Sequence, residues 1–166
     1  MKYALVILAL FFCISCSQIQ QVLPRVENEQ IENKIIKVKF ASQKEYMKKY
    51  LPENINFDEN STISLIYSFS DNSKVGDGVD GLNLFNPLVL VGFPLSSSNL
   101  SISANMKFFN ENNELNFSSV CVSKHTRTLF SNTNLTELRK MCIKELKENL
   151  RKQINISINK GKFNVF

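Results

Sequence analysis

Apolar residues open the chain as one unbroken run, Ala4 to Ile14, and afterwards recur with two distinct periods. From Ile35 to Ala41 they alternate with lysines, Ile36, Val38 and Phe40 against Lys37 and Lys39, which predicts a strand with one wet face. Ser42-Gln-Lys-Glu45 has capping-box spacing, and Tyr46, Met47, Tyr50 and Leu51 line one side of the short helix it opens, ended by Pro52. Alternation returns at Thr62 to Phe69 through Ile63, Leu65, Tyr67 and Phe69. It is strictest at Leu100, Ile102, Ala104, Met106 and Phe108. There Asn110 to Glu114 makes a polar turn and Leu115 to Val122 returns with Phe117, Val120 and Val122, completing a hairpin.

Near the C-terminus the period lengthens. Behind a second capping box, Asn134-Leu-Thr-Glu137, the residues Leu135, Leu138, Cys142, Leu146, Leu150 and Ile154 follow at steps of three and four. Arg139, Lys140, Lys144, Lys147 and Glu148 turn outward from that stripe. Ile154, Ile156 and Ile158, then Phe163 and Val165 around Asn159-Lys-Gly161, alternate again and predict a last strand or edge hairpin. The pattern as a whole describes an α+β domain over residues 34–166. Its sheet is mainly antiparallel, with a short N-terminal helix and a long amphipathic helix near the C-terminus packed on it.

Two stretches depart from these periods. Residues 70–83 read as a flexible glycine loop. Gly76-Asp-Gly-Val-Asp-Gly81 satisfies the letter of the dinucleotide fingerprint, but no crossover helix follows it, and Asp77 and Asp80 would repel a pyrophosphate. Asp71, Asp77 and Asp80 lack the spacing and the closing glutamate of an EF-hand. Leu82 to Leu95 is the most apolar part of the chain after the opening run. It can be a lip that dips into a membrane, or the wall of an apolar ligand pocket made by Phe85, Leu88, Leu90 and Phe93. It can equally be a strand buried on both faces between Pro87 and Pro94, and its apolar density favours burial.

The opening run is shorter than the ~20 residues that span a bilayer and follows the single basic residue Lys2, so residues 1–15 read as a signal peptide. The run ends in Cys13-Ile14-Ser15-Cys16, with a small residue directly before a cysteine, and this resembles a bacterial lipobox, although Cys13 stands where leucine is usual. The resemblance implies that Cys16 is acylated, palmitate included, and becomes the first mature residue. Two or three acyl chains, at about 0.8 kcal/mol per buried methylene, hold a protein stably on a membrane. Residues 16–33, rich in Gln, Glu and Asn, then read as the lipidated N-terminus and a flexible tether.

Cleavage would leave 151 of the 166 residues, enough for one domain with a sizeable core. It removes one lysine, leaving 19 basic against 15 acidic side chains, a mild net charge of +4. The lysines are scattered and not interleaved with aromatics as a nucleic-acid face requires, so no nucleic-acid partner is expected. Cys121 and Cys142 are the one pair left; they are a disulfide linking strand to helix, or two separate buried thiols. His125 is the only histidine, its basic neighbours give it the look of a surface residue, and no metal or other cofactor is implied. No nucleophile, base and orienting acid cluster in sequence, so an enzyme is not expected.

The order of elements behind Cys16 resembles small lipoproteins of diderm bacterial envelopes. That resemblance implies attachment to the outer membrane, facing the periplasm or the cell surface, because Ser17 and not aspartate follows the cysteine. It leaves two functions open. One is an interaction or assembly module that meets another envelope protein through a sheet edge or the surface of residues 123–131. The other is a carrier or sensor of an apolar ligand such as a lipid.

Overall fold

The computed structural model describes residues 19–26, 34–41, 45–74, 85–91, 93, 95–129 and 134–165. The expected signal peptide, Cys16, residues 27–33 of the expected tether and the glycine segment 75–84 lie outside them. The strands are β1 (Ile19–Leu23), β2 (Ile36–Phe40), β3 (Ile55–Phe57), β4 (Ser64–Lys74), β5 (Ser96–Phe109) and β6 (Glu114–Arg127), followed by one helix, α1 (Leu135–Asn159). They form one six-stranded sheet in the order β1-β6-β5-β4-β2-β3. The β1/β6, β6/β5 and β5/β4 pairs are antiparallel, and β2 pairs in parallel with both β4 and β3. The architecture is therefore α+β, with a mostly antiparallel sheet and one long C-terminal helix.

The β5–β6 hairpin is the spine of the sheet, registered from Ser96↔Arg127 to Phe109↔Glu114. Its turn is set by one side chain. Asn110 Oδ1 accepts from the backbone N–H of Asn112 at 3.0 Å and of Asn113 at 2.8 Å, the local bonding that makes asparagine a turn former. Leu65, Tyr67, Leu100, Ile102, Ala104, Met106 and Phe108 are all buried on one face of the sheet. Against them α1 buries Leu138, Cys142, Leu146, Leu150 and Ile154, the stripe its sequence period sets out. The other face exposes Ser68, Ser70, Asn105, Asn116 and Ser118, so this is a two-layer domain with a wet outer sheet face.

Asn134 caps α1 by accepting from Thr136 N–H at 2.9 Å. The helix runs further than the alternation of Ile154, Ile156 and Ile158 suggests, because Ile154 and Ile158 also continue the four-residue stripe from Leu150. It stops at Gly161, whose φ of 72° and N–H bond to Ile158 O at 2.9 Å make the left-handed helix end that glycine adopts without a Cβ clash. The expected last strand is instead a 3-10 turn, Lys162–Val165, which returns Phe163 to the core edge-on to Phe108 at 5.4 Å.

Four further expectations change. The described part of the short helix expected at residues 42–51 is a 3-10 turn, Glu45–Tyr50, with Leu51 buried behind it and Tyr50 stacked on Phe69 at 4.2 Å. β4 extends to Lys74 through residues read as loop, held by its register with β5 as far as Asn99. Ile19–Leu23, read as part of the tether, is an edge strand on β6, and Asn149 Nδ2 fixes its end by donating to Pro24 O at 2.8 Å. The described part of Leu82–Leu95 is not a doubly buried strand. Its described centre is a 3-10 turn, Pro87–Val91, because Asn86 Oδ1 accepts from Leu88 N–H at 3.0 Å and Pro87 at the first helical position supplies a helical φ.

The inward face of β6 is also the opposite of the one its valines suggest. Phe117, Ser119, Cys121, Ser123 and His125 point into the core, while Val122 is 42% exposed on the wet face. Side chains alternate strictly along a strand, so Phe117 and Val122 cannot share a face, and the pairing of Cys121 with the helix decides between them.

Candidate functional site

Cys121 and Cys142 are joined as a disulfide between β6 and α1, with Cα atoms 5.6 Å apart. Of the two alternatives left open by sequence, the bonded one is present. His125 is not a surface residue: it is 7% exposed on the inward face of β6, and no described residue bonds its Nε2. Ser123 and Thr128 are buried with it, while Lys124 is exposed on the other face of the strand. Asp71 lies in β4 and pairs with Arg139 of α1 at 2.5 Å, apart from any cation-binding loop. Among the described residues no three His, Cys, Asp or Glu side chains gather as a metal site.

The segment around the 3-10 turn is the most exposed apolar stretch described. Phe85 is 89%, Leu88 47%, Leu90 69% and Phe93 51% exposed, while Val89 and Leu95 are buried. Its backbone is closed by Val89 N–H to Asn86 O at 3.0 Å and Phe93 N–H to Leu88 O at 3.1 Å. The four side chains read as a possible ligand wall thus face outward, and clefts of about 550 Å³ and 500 Å³ elsewhere on the described surface are lined by other residues. The signal for this turn was the pair Asn86-Pro87, a cap followed by the residue best suited to the first helical position.

Topology fixes where this segment lies. It enters β5 at Ser96, which pairs with Arg127 near the end of β6. At the same end Ile19, the first residue of β1, pairs with Lys124, and β4 finishes with Lys74 opposite Asn99. The start of α1 belongs there too, through the Arg139–Asp71 ion pair. Lys74 and Lys124 are both exposed.

A second surface feature runs along α1. A cleft of about 500 Å³ is lined by Glu53, Lys140, Ile143, Lys144, Lys147, Glu148 and Arg151. Helical spacing brings the cations to one side: positions 140, 144, 147 and 151 are three or four apart and form a stripe. Glu53 closes the other wall on the loop between the first 3-10 turn and β3, a loop pinned by a buried bond from Asn54 Nδ2 to Asn155 Oδ1 at 3.2 Å. Within the cleft Arg151 grips Glu148 with two N–H donors, Nε at 2.8 Å and Nη2 at 2.5 Å. That hydrogen bonding holds the Glu148 carboxyl below the ordinary carboxylate range. With that pair internally neutral, the three lysines outweigh Glu53, so the groove is a basic trough with Ile143 as the apolar residue of its lining.

No helix among the described residues is long and apolar enough to cross a membrane. No known protein family matches the chain, and no characterised protein matches it in sequence.

Proposed function

We propose that this chain is a lipid-anchored envelope lipoprotein that acts as an interaction module, acylated at Cys16 and carried on the outer membrane. Its partner is another envelope protein presenting an acidic segment to the trough on α1. The observation that carries the reading is the trough itself: three lysines in helical register beside Ile143, on an element fixed to the sheet by a disulfide. Such a surface recognises an extended acidic chain by charge while the rigid helix keeps the register of the contacts. The four exposed apolar side chains of residues 85–93 favour contact with an outside surface over enclosure of a carried ligand. In this reading the chain works by binding and not by catalysis.

Metabolic labelling with a fatty-acid analogue tests the anchor: wild type takes the label and Cys16→Ala does not. Native mass spectrometry of the membrane-extracted protein tests the module, with a stoichiometric protein partner expected on wild type and lost on Lys144→Glu/Lys147→Glu. Co-purified lipid with no protein partner would overturn it in favour of a carrier.

A further inference from the structure

Two parts of the chain converge on one end of the sheet, and together they identify what the exposed apolar turn meets. Cys16 precedes Ile19 by three residues, and Ile19 is already locked to Lys124 of β6. Three residues reach at most about 10 Å, so an acylated Cys16 keeps this end of the sheet within that distance of the lipid headgroups. Phe93 stands three residues before Ser96, which is locked to Arg127 of the same strand. Lys124 and Arg127 are separated by about 10 Å along β6. The apolar turn and the anchor therefore leave the domain at the same end of the sheet, on either side of β6.

We propose that Phe85, Leu88, Leu90 and Phe93 are a second membrane contact, inserted among the lipids of the surface that carries the acylated Cys16. The inference rests on the anchoring reading and adds an orientation to it. Four large apolar side chains within nine residues are exposed, on a turn whose backbone is closed by its own hydrogen bonds, Val89 N–H to Asn86 O and Phe93 N–H to Leu88 O. The exposed Lys74 and Lys124 at this end suit an anionic headgroup layer. Because the leash is short, the lipid surface is present at high effective concentration around the turn, ahead of any soluble partner. The trough on α1, which runs away from this end along the helix, is left open to the aqueous side.

The chain contains no tryptophan, so one introduced at the turn reports alone. Acylated full-length Phe85→Trp and Leu90→Trp proteins, and an Ile66→Trp control on the wet sheet face, are reconstituted in phosphatidylethanolamine–phosphatidylglycerol vesicles. The expected result is a blue shift and loss of emission with acyl-brominated lipid for the two turn variants, with Ile66→Trp unchanged and open to aqueous iodide. Protein that floats with the vesicles but keeps unquenched, iodide-accessible turn emission overturns this inference and leaves the anchor standing. A blue shift insensitive to brominated lipid marks a protein contact at the turn, whether a second copy or another chain, and overturns it as well. Protein that fails to float overturns the anchoring reading and this inference with it.

Discussion

Cys121, at the middle of β6, is bonded to Cys142, in the N-terminal third of α1, and both residues are fully buried where helix and sheet meet. The link closes a loop spanning 21 positions that includes residues 130–133. Closing such a loop restricts the unfolded chain by about 3 kcal/mol. The variant Cys121→Ala/Cys142→Ala is expected to unfold at a urea concentration lower by about 1–3 M, with the oxidised wild type falling to a similar midpoint on reduction. An unchanged midpoint in both cases would mean that the native packing alone fixes the helix.

The inward phase of β6 makes a sharper distinction. Leu146 is fully buried on α1 over the sheet, so Leu146→Ala is expected to cost about 2–5 kcal/mol by lost burial and the cavity left behind. Val122 faces solvent, and Val122→Ser is expected to stay within about 0.5 kcal/mol of wild type. Chemical denaturation of the two variants checks the face assignment directly. If Val122→Ser were the more damaging, the strand would have to be turned over.

Where the sequence period was long and uniform, the structure follows it. The five alternating residues Leu100 to Phe108 are all buried, as are Leu138, Cys142, Leu146, Leu150 and Ile154, because a repeated match to one period leaves a single face for the core. The failures have local causes. Ser119, Ser123 and His125 are polar residues on the inward face of β6, so their burial has no hydrophobic signature, while Val122 supplies a false one. Leu82–Leu95 is apolar enough for a core strand, yet Asn86 and Pro87 set a helical turn that turns Phe85 and Leu90 outward. The trough on α1 was legible only in part. The helical period turns the lysines outward, but Glu53 joins them only through folding, across about ninety positions of chain.

Acid is expected to weaken the Glu148–Arg151 pair. Its pKa is held below the ordinary value of 4.5, chiefly by the hydrogen bonds from Arg151, so the pair adds stability above the unfolded value and loses it as the pH falls through the folded one. The Glu148→Gln variant is therefore expected to be less stable than wild type at pH 7, with the gap closing as the solution is made more acid than that value. The effect is small, because the carboxylate is only half-buried and is screened by solvent. Urea midpoints of both proteins across the acid range read it out, and a gap that widened on acidification would contradict the pairing.

The strand β1 carries the orientation argument, so its attachment must be measurable. Ile19–Leu23 pairs with Lys124–Val120, and Asn149 secures the chain beyond it by bonding Pro24 O. A five-residue edge strand opens locally more easily than the β5–β6 centre, but its bonded amides still exchange far more slowly than those of a tether. Hydrogen exchange is expected to show intermediate protection at residues 19–23. In Asn149→Leu, which removes the donor to Pro24, protection at these residues is expected to fall while that of Leu100–Phe108 holds. Free exchange at 19–23 in the wild-type protein would restore a flexible tether of the full length from Cys16. The end of the sheet would then no longer be confined to the membrane surface, and the apolar turn would be free to meet something else.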